Sequence, residues 1–343
     1  MRKITVLGGG SWGTALATVA ARNGNTVSLW CRREEQARSI TESRENLRYL
    51  PGSPIPDEVK ATSNLKEALS FSDLWILSVP TQSVRPLLKE IAKVSSRESV
   101  SLCNVAKGIE TQSLKRISQI VEEEIPLAKY TVLSGPSHAE EVIKGLPTAV
   151  VAASDLSDQY LIWQKALNTN FFRIYSSDDV CGVETGGALK NVVAVASGLA
   201  HSMEMGDNAI ASMVTRGLAE IMRLAVAMGA HPITLAGLAG IGDLMVTAYS
   251  RHSRNFRLGV ALGKGMTLDE AVASLGQVAE GAYTVKAAVA LGQSLSVDLP
   301  ITEAVYQVLY QNNSPEETIK DLLSRDPKPE YPPHVFEGQK VDH

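Results

Sequence analysis

Four clusters in the chain carry the residue types that move protons and hold anions. Gly186-Gly187-Ala188-Leu189-Lys190-Asn191 sets a lysine and an amide among small and apolar residues on a helical pattern. An amine in such a place is hard to solvate fully. Desolvation, or a second cation nearby, lowers its pKa towards neutrality, where it can both give and take a proton. The same pattern also describes a lysine that snorkels from a helix edge into water. Lys107, in Ala106-Lys107-Gly108, lies just beyond a strand pattern at 99–105. Open parallel sheets bind ligands at the C-terminal ends of their strands, though a surface lysine on a loop fits as well. Gly237-Leu238-Ala239-Gly240-Ile241-Gly242 leads to Asp243, a tight backbone approach to one carboxylate. Ser253-Arg254-Asn255 puts a planar guanidinium fork beside an amide and a hydroxyl. That set suits a phosphate; it also reads as a basic helix start capped by Ser253.

These groups need a scaffold, and the first residues describe one. Ile4-Thr5-Val6-Leu7 reads as a buried strand, followed by Gly8-Gly9-Gly10-Ser11-Trp12-Gly13 and an alanine-rich helix to about residue 21. The spacing of Gly8, Gly10 and Gly13 is G-x-G-x-x-G. In that pattern the first glycine allows a tight turn, the second lets a pyrophosphate approach the backbone, and the third lets the helix pack close to the sheet. The helix N-terminus then offers free N–H groups to the phosphates. An ordinary glycine-rich turn is the alternative, but the strand before and the helix after favour a dinucleotide site. The second strand, 26–30, ends in Trp30-Cys31-Arg32-Arg33. Two arginines where an acid often binds the ribose 2′-hydroxyl suit a 2′-phosphate, hence NADP; arginine can also stack on adenine and tolerate NAD.

Strand patterns recur at 73–80, 99–105, 130–133, 148–153 and 171–175, with helical patterns at 81–94, 113–124 and 157–168 between them. The polar stretch 34–70 reads as largely helical, broken by a loop at Pro51-Gly52-Ser53-Pro54-Ile55-Pro56. The alternation implies α/β architecture with a doubly wound, mostly parallel sheet. After Asp179 strand patterns stop and helices follow at 183–205, 208–227, 268–274, 282–291, 301–311 and 316–324. The expected organisation is a dinucleotide-binding domain at 1–180, a helical substrate domain at 181–325 and a flexible tail at 326–343. Ser134-Gly135-Pro136-Ser137-His138-Ala139 again ends a strand in small residues, with Ser137 as a candidate helix cap. The loop 276–281 holds Val278 and a central acid, Glu280.

Bulk properties narrow the function classes. A chain of 343 residues with 44% hydrophobic and 20% charged residues suits a soluble globular protein. The net charge of −4 makes no electrostatic case for nucleic acid or membrane surfaces. Three scattered cysteines fit a reducing compartment. Arg2 and Lys3 before a strand do not read as a signal peptide, and no apolar run approaches the ~20 residues of a membrane span. A cytoplasmic enzyme without membrane insertion is expected. His138 and His252 lack ligand spacing with another histidine or cysteine, so no metal is expected.

Taken in order, five pieces resemble the bacterial NAD(P)-dependent glycerol-3-phosphate dehydrogenases over about residues 4–325. They are Gly8-Gly9-Gly10-Ser11-Trp12-Gly13-Thr14-Ala15, Ala106-Lys107-Gly108, Ser134-Gly135-Pro136-Ser137, Leu189-Lys190-Asn191, and Gly242-Asp243-Leu244 running on to Ser253-Arg254-Asn255. The resemblance implies a Rossmann-type domain followed by an all-helical one, and a homodimer through the helical half. It implies reversible reduction of dihydroxyacetone phosphate to sn-glycerol 3-phosphate with NADPH or NADH, feeding phospholipid synthesis. Ser11, Trp12, Arg32, Arg33 and Ala139 would contact the cofactor, with Val278 and Glu280 closing over its nicotinamide end. Lys107 and Arg254 would reach both cofactor and substrate. Gly135, Ser137, Asp243, Ser253 and Asn255 would hold the substrate, and Lys190 would transfer the proton in a catalytic group with Asn191 and Asp243, the carboxylate either orienting Lys190 or bonding a substrate hydroxyl. Two other readings stay open: a related reductase acting on a different hydroxy acid or sugar acid phosphate, and a non-catalytic NADP-binding sensor.

Overall fold

The computed structural model describes residues 1–95, 99–327 and 329–330. Ten strands appear among them: β1 (Lys3–Leu7), β2 (Thr26–Trp30), β3 (Glu45–Asn46), β4 (Leu50–Pro54), β5 (Val59–Thr62), β6 (Leu74–Leu77), β7 (Ser101–Asn104), β8 (Lys129–Ser134), β9 (Thr148–Ala153) and β10 (Phe172–Ser177). Eight form one sheet in the order β10-β9-β8-β7-β6-β1-β2-β5. Every pairing in it is parallel except that of β8 with β9. The strand order reverses at β1: the chain builds out through β2 to β5, then returns to lay β6 on the other side of β1. That reversal opens a crevice beyond the strand ends, the place where such sheets take ligands.

The apolar strands account for this. Ile4, Val6 and Leu7 of β1 are fully buried, as are Ile76 and Leu77 of β6. Near-continuous burial requires helices on both faces. The helix Ser11–Arg22 covers one face with Ala15, Leu16, Val19 and Ala20. The helices Leu65–Phe71, Val84–Val94 and Ile117–Glu124 cover the other.

The stretch 34–70 departs from its sequence expectation. Helix is confined to Glu34–Ser43 and Leu65–Phe71. The expected proline loop is largely β4, which pairs antiparallel with β3 in a separate ribbon. A two-stranded ribbon has open edges, so Pro51 and Pro54 need not donate to a ladder. β5 is an edge strand whose only buried apolar residue is Val59, too weak a pattern to stand out. The helix expected over 113–124 starts only at Ile117, because Leu114 takes φ 61°, which breaks a right-handed helix. The expected tail falls, beyond residue 330, outside the described residues.

From Val180 onward the elements among the described residues are all helical. The first, Val180–Ser202, is buried nearly all round and is the axis of the helical domain. Two glycines bring the helix Arg254–Gly263 onto it. A Cβ on Gly198 would lie 2.0 Å from Phe256 O, and one on Gly259 2.0 Å from Val195 O. Backbones this close lock the two helices in register, and with them Lys190 on one and Arg254 and Asn255 on the other. The segment Pro232–Tyr249 has mean hydropathy 1.3 over 18 residues. It is built as three pieces, a helix at Pro232–Leu235, a wide turn at Leu238–Gly242 and a helix at Asp243–Tyr249.

Candidate active site

A cavity of about 1270 Å³ lies between the sheet's C-terminal edge and the helical domain. Its floor is the glycine turn. Gly8 has φ +127°, and a Cβ there would stand 2.2 Å from Ser78 O on the strand-end loop after β6. A Cβ on Gly13 would stand 2.0 Å from Gly8 O. Both are therefore required by packing. A Cβ on Gly10 would meet nothing within 4 Å, so the backbone at the head of the helix Ser11–Arg22 faces open space. No side chain caps that helix, and its first N–H groups are left for a ligand.

Ser11, Trp12, Arg32, Arg33, Lys107, Ser137, Ala139, Lys190, Asn191, Ser253, Arg254, Asn255, Val278 and Glu280 all line this one cavity. Arg32 and Arg33 are exposed at its outer end, beyond β2. Gly13, Gly135 and Asp243 lie behind the lining. The volume exceeds the ~300–1,000 Å³ usual for drug-sized ligands and suits a dinucleotide with a small co-substrate. Two polar atoms there await partners. Trp12 Nε1 and Glu280 Oε2 are buried with no hydrogen bond, while Glu280 Oε1 accepts the Thr81 N–H at 2.9 Å. Burial raises the Glu280 carboxyl pKa above its ordinary value, against the lowering effect of Thr81 and Arg254. An uncapped helix start, an open glycine backbone and an orphaned carboxylate oxygen are together what a dinucleotide with a carboxamide at one end would fill.

The chemistry is concentrated on three charged groups. Lys190 Nζ donates to Asp243 Oδ1 at 2.6 Å and to Thr247 Oγ1 at 2.6 Å. Lys107 Nζ donates to Asp243 Oδ2 at 2.6 Å, to Gly135 O at 2.9 Å and, at 3.5 Å, to Ser137 Oγ. Asp243 is 1% exposed, and each of its oxygens meets one lysine. Asp243 itself does not line the cavity; its carboxylate is paired with the two lysines that do. Burial pulls the Lys190 pKa down to about 7; Asp243 opposes this, while Lys107 and Arg254 add to it. Burial alone would raise the Asp243 carboxyl, but Lys107 and Lys190 outweigh it and hold the pKa below the usual carboxylate range.

Close backbone approach makes room for this cluster. A Cβ on Gly186 would lie 2.8 Å from Ala239 O, and one on Gly187 2.7 Å from Ser134 Oγ and 3.6 Å from Lys107 Cγ. The glycines before Lys190 therefore admit the wide turn before Asp243 on one side and Lys107 on the other. Asn191 Nδ2 donates to Lys107 O at 3.1 Å, and Asn255 Nδ2 donates to Asn191 Oδ1 at 2.8 Å. Asn255 Oδ1 in turn accepts the Gly281 N–H at 2.9 Å. This chain of amides ties both domains to the first turn of the helix Glu280–Ser294, whose start the sequence pattern places in a loop.

Ser253 is the N-cap of the helix Arg254–Gly263, its Oγ accepting the Phe256 N–H at 3.2 Å. Ser253 thus caps the helix, as one of its two readings expected, and it also lines the cavity. Ser137 is not a cap: the next helix, Ala139–Val142, is preceded by His138, and Ser137 Oγ donates to Gly135 O at 2.8 Å. Its hydroxyl closes the turn after β8. The His138 and His252 rings stand 5.7 Å apart, with His138 Nε2 3.3 Å from Val246 O. Sequence reasoning passed over Thr247, although it stands four residues after Asp243 and so shares its helix face. It also passed over Gln277, whose Oε1 accepts from Ser11 Oγ and Arg254 Nη1, each at 3.3 Å. Nothing local to Gln277 signals that bridge.

Comparison with known proteins agrees with this geometry. Residues 3–159 match the family model for the N-terminus of NAD-dependent glycerol-3-phosphate dehydrogenase, and residues 179–320 match the model for its C-terminus. A glycerol-3-phosphate dehydrogenase [NAD(P)+] of Chlorobium phaeobacteroides is 46% identical over 331 residues, covering 96% of this chain and 99% of that one. The protein of that name from Geobacillus thermodenitrificans is 47% identical over 333 residues, covering 96% and 97%. The crystal structure of glycerol-3-phosphate dehydrogenase from Coxiella burnetii superposes with TM-score 0.91 at 36% identity, over 94% of this chain and 99% of that one. With both domains matched and the relatives covered almost end to end, the chain belongs to the NAD-dependent glycerol-3-phosphate dehydrogenase family.

Proposed function

We propose that this chain catalyses the reversible NAD(P)H-dependent reduction of dihydroxyacetone phosphate to sn-glycerol 3-phosphate, the precursor of glycerophospholipids. The observation that carries the reading is the Lys190–Asp243–Lys107 cluster at the wall of a cavity whose floor is the glycine turn. The relatives named above support it over 96% of the chain. When bound, the reduced nicotinamide supplies a hydride to the C2 ketone. Gly8, Gly10, Ser11, Trp12 and Gly13 form the phosphate end of the cofactor site, Arg32 and Arg33 the adenosine end, and Ala139, Val278 and Glu280 the nicotinamide end.

The substrate site is built from Lys107, Ser137, Ser253, Arg254 and Asn255. Arg254 on the first turn of its helix, with the free N–H groups there, takes the phosphate. Phosphate binding fixes the ketone without touching it, so remote contacts orient the reacting carbon. Lys190 has three corners besides its own Cε. Asp243 and Thr247 hold two, and the third points to the substrate. In reduction that corner is a proton, given to the oxygen on which negative charge develops. In oxidation it is a lone pair, which takes the proton back. Lys107, a second ammonium within reach of the same carboxylate, steadies that charge. The working unit is read as a cytoplasmic homodimer through the helical half, with the domains dividing at 180/181.

The test is direct. Purified protein mixed with dihydroxyacetone phosphate should oxidise NADPH or NADH, read by loss of reduced-nicotinamide absorbance, and glycerol 3-phosphate should form in equal amount. No turnover with either cofactor, while a panel of other keto acids reacts, would transfer the assignment to a related reductase.

A further inference from the structure

The backbone that faces the pyrophosphate is itself held by two side-chain amides, Asn46 from behind the cavity lining and Gln36 from within it. Asn46 Nδ2 lies 2.9 Å from Gly9 O and 2.8 Å from Thr14 Oγ1, and Gln36 Nε2 donates to the same Gly9 carbonyl. A carbonyl oxygen only accepts, so the Asn46 atom facing it is the amide nitrogen. Asn46 is 1% exposed and belongs to β3, in the small ribbon outside the main sheet. Gln36 comes from the helix Glu34–Ser43 and is half-buried. Gly9 has no room to shift: a Cβ there would lie 2.4 Å from Cys31 Sγ and 3.1 Å from Gln36 Nε2.

We propose that Asn46 and Gln36 are positioning residues for the cofactor's pyrophosphate, acting through the Gly9–Gly10 peptide; the inference rests on the cofactor reading above. A peptide unit is planar, with its C=O and N–H directed oppositely. Two donors that hold Gly9 O therefore fix the opposite direction of Gly10 N–H, on the side where space over Gly10 is free. Asn46 adds a second tie, to Thr14 in the first turn of the helix Ser11–Arg22. The N–H groups of the loop and of the helix start are thus aimed as one set. The ribbon 45–54, which plays no part in the main sheet, gains a role: it delivers a buried amide to the back of the phosphate loop.

The variants are Gln36→Ala, Asn46→Ala and the pair. Each single change should raise KM for NADPH or NADH, and Kd read by quenching of tryptophan fluorescence, about 3- to 10-fold, with the pair higher than either. KM for dihydroxyacetone phosphate and kcat at saturating cofactor should stay within about 3-fold, since neither amide touches the substrate. A purely structural role would instead lower kcat through loss of folded enzyme and leave cofactor KM unchanged. If Asn46→Ala does not fold, Gln36→Ala alone must show the shift. Unchanged cofactor KM and Kd in folded variants would overturn the proposal while leaving the cofactor reading intact. A wild type that bound neither NADPH nor NADH would overturn both.

Discussion

Lys190→Ala is expected to lower kcat for reduction of dihydroxyacetone phosphate by about 10²- to 10⁴-fold, the range for removing a positioned general acid. KM for both substrates should change far less, because Arg254, Asn255 and the glycine turn are untouched. Three features of the site set the size of the effect. The amine is buried, so water cannot readily replace it; its pKa is drawn down to about 7, so it loses and regains a proton near neutrality. Asp243 and Thr247 fix two of its corners, leaving the third with a set direction. Steady-state kinetics with NADPH and NADH measures the split. A variant with kcat within threefold of wild type would remove Lys190 from the chemistry.

Asp243→Asn is the second large effect, and it should fall on stability as well as rate. The wild-type carboxylate is 1% exposed and neutralises two lysines. Deleting one partner of a buried ion pair leaves the other uncompensated and costs about 3–5 kcal/mol. Here the cost should depend on pH, and the sign follows from Lys190. Burial already lowers its pKa and Asp243 holds it up; without Asp243 the pKa falls further. At pH 8.5 the amine is mostly neutral with or without Asp243, so the substitution is felt mainly by Lys107, which is 18% exposed and partly solvated. At pH 6 the wild type keeps Lys190 charged and paired, and the variant must strand that charge or release the proton. Urea unfolding should therefore show a larger loss at pH 6 than at pH 8.5. An equal loss at both values would mean that Asp243 does not support the charge on Lys190.

Much of this site is legible in the chain because each part carries its own local context. A strand before the glycines and a helix after them mark Gly8, Gly10 and Gly13. Apolar neighbours mark Lys190 as hard to solvate. What the chain does not display is which groups meet. Lys107 and Asp243 are 136 residues apart, and nothing near either says that one carboxylate serves two lysines. Asn46 lies in a polar stretch that reads as helix, yet it reaches the phosphate loop because a ribbon folds over it. The proline-rich run at 51–56 looks like a loop because proline is foreign to central strands; in a two-stranded ribbon with open edges that objection lapses. Ser137 looks like a cap because a helix follows, but the helix starts one residue too late for it. Local propensity locates elements and candidate residues, and tertiary packing decides the partners.

The central claim is that one buried amine, poised near neutrality, gives a proton in one direction and takes it in the other. The most direct measurement is kcat/KM against pH for both directions, with dihydroxyacetone phosphate and with glycerol 3-phosphate as the varied substrate, since this ratio reports ionisations of the free enzyme. Reduction needs the ammonium, so its kcat/KM should fall as pH rises through about 7. Oxidation needs the free amine, so its kcat/KM should rise through the same value. The two profiles should cross as mirror images. Profiles that move in the same direction, as an ionisation of the substrate phosphate would produce, or that stay flat across this range, would contradict the assignment of Lys190.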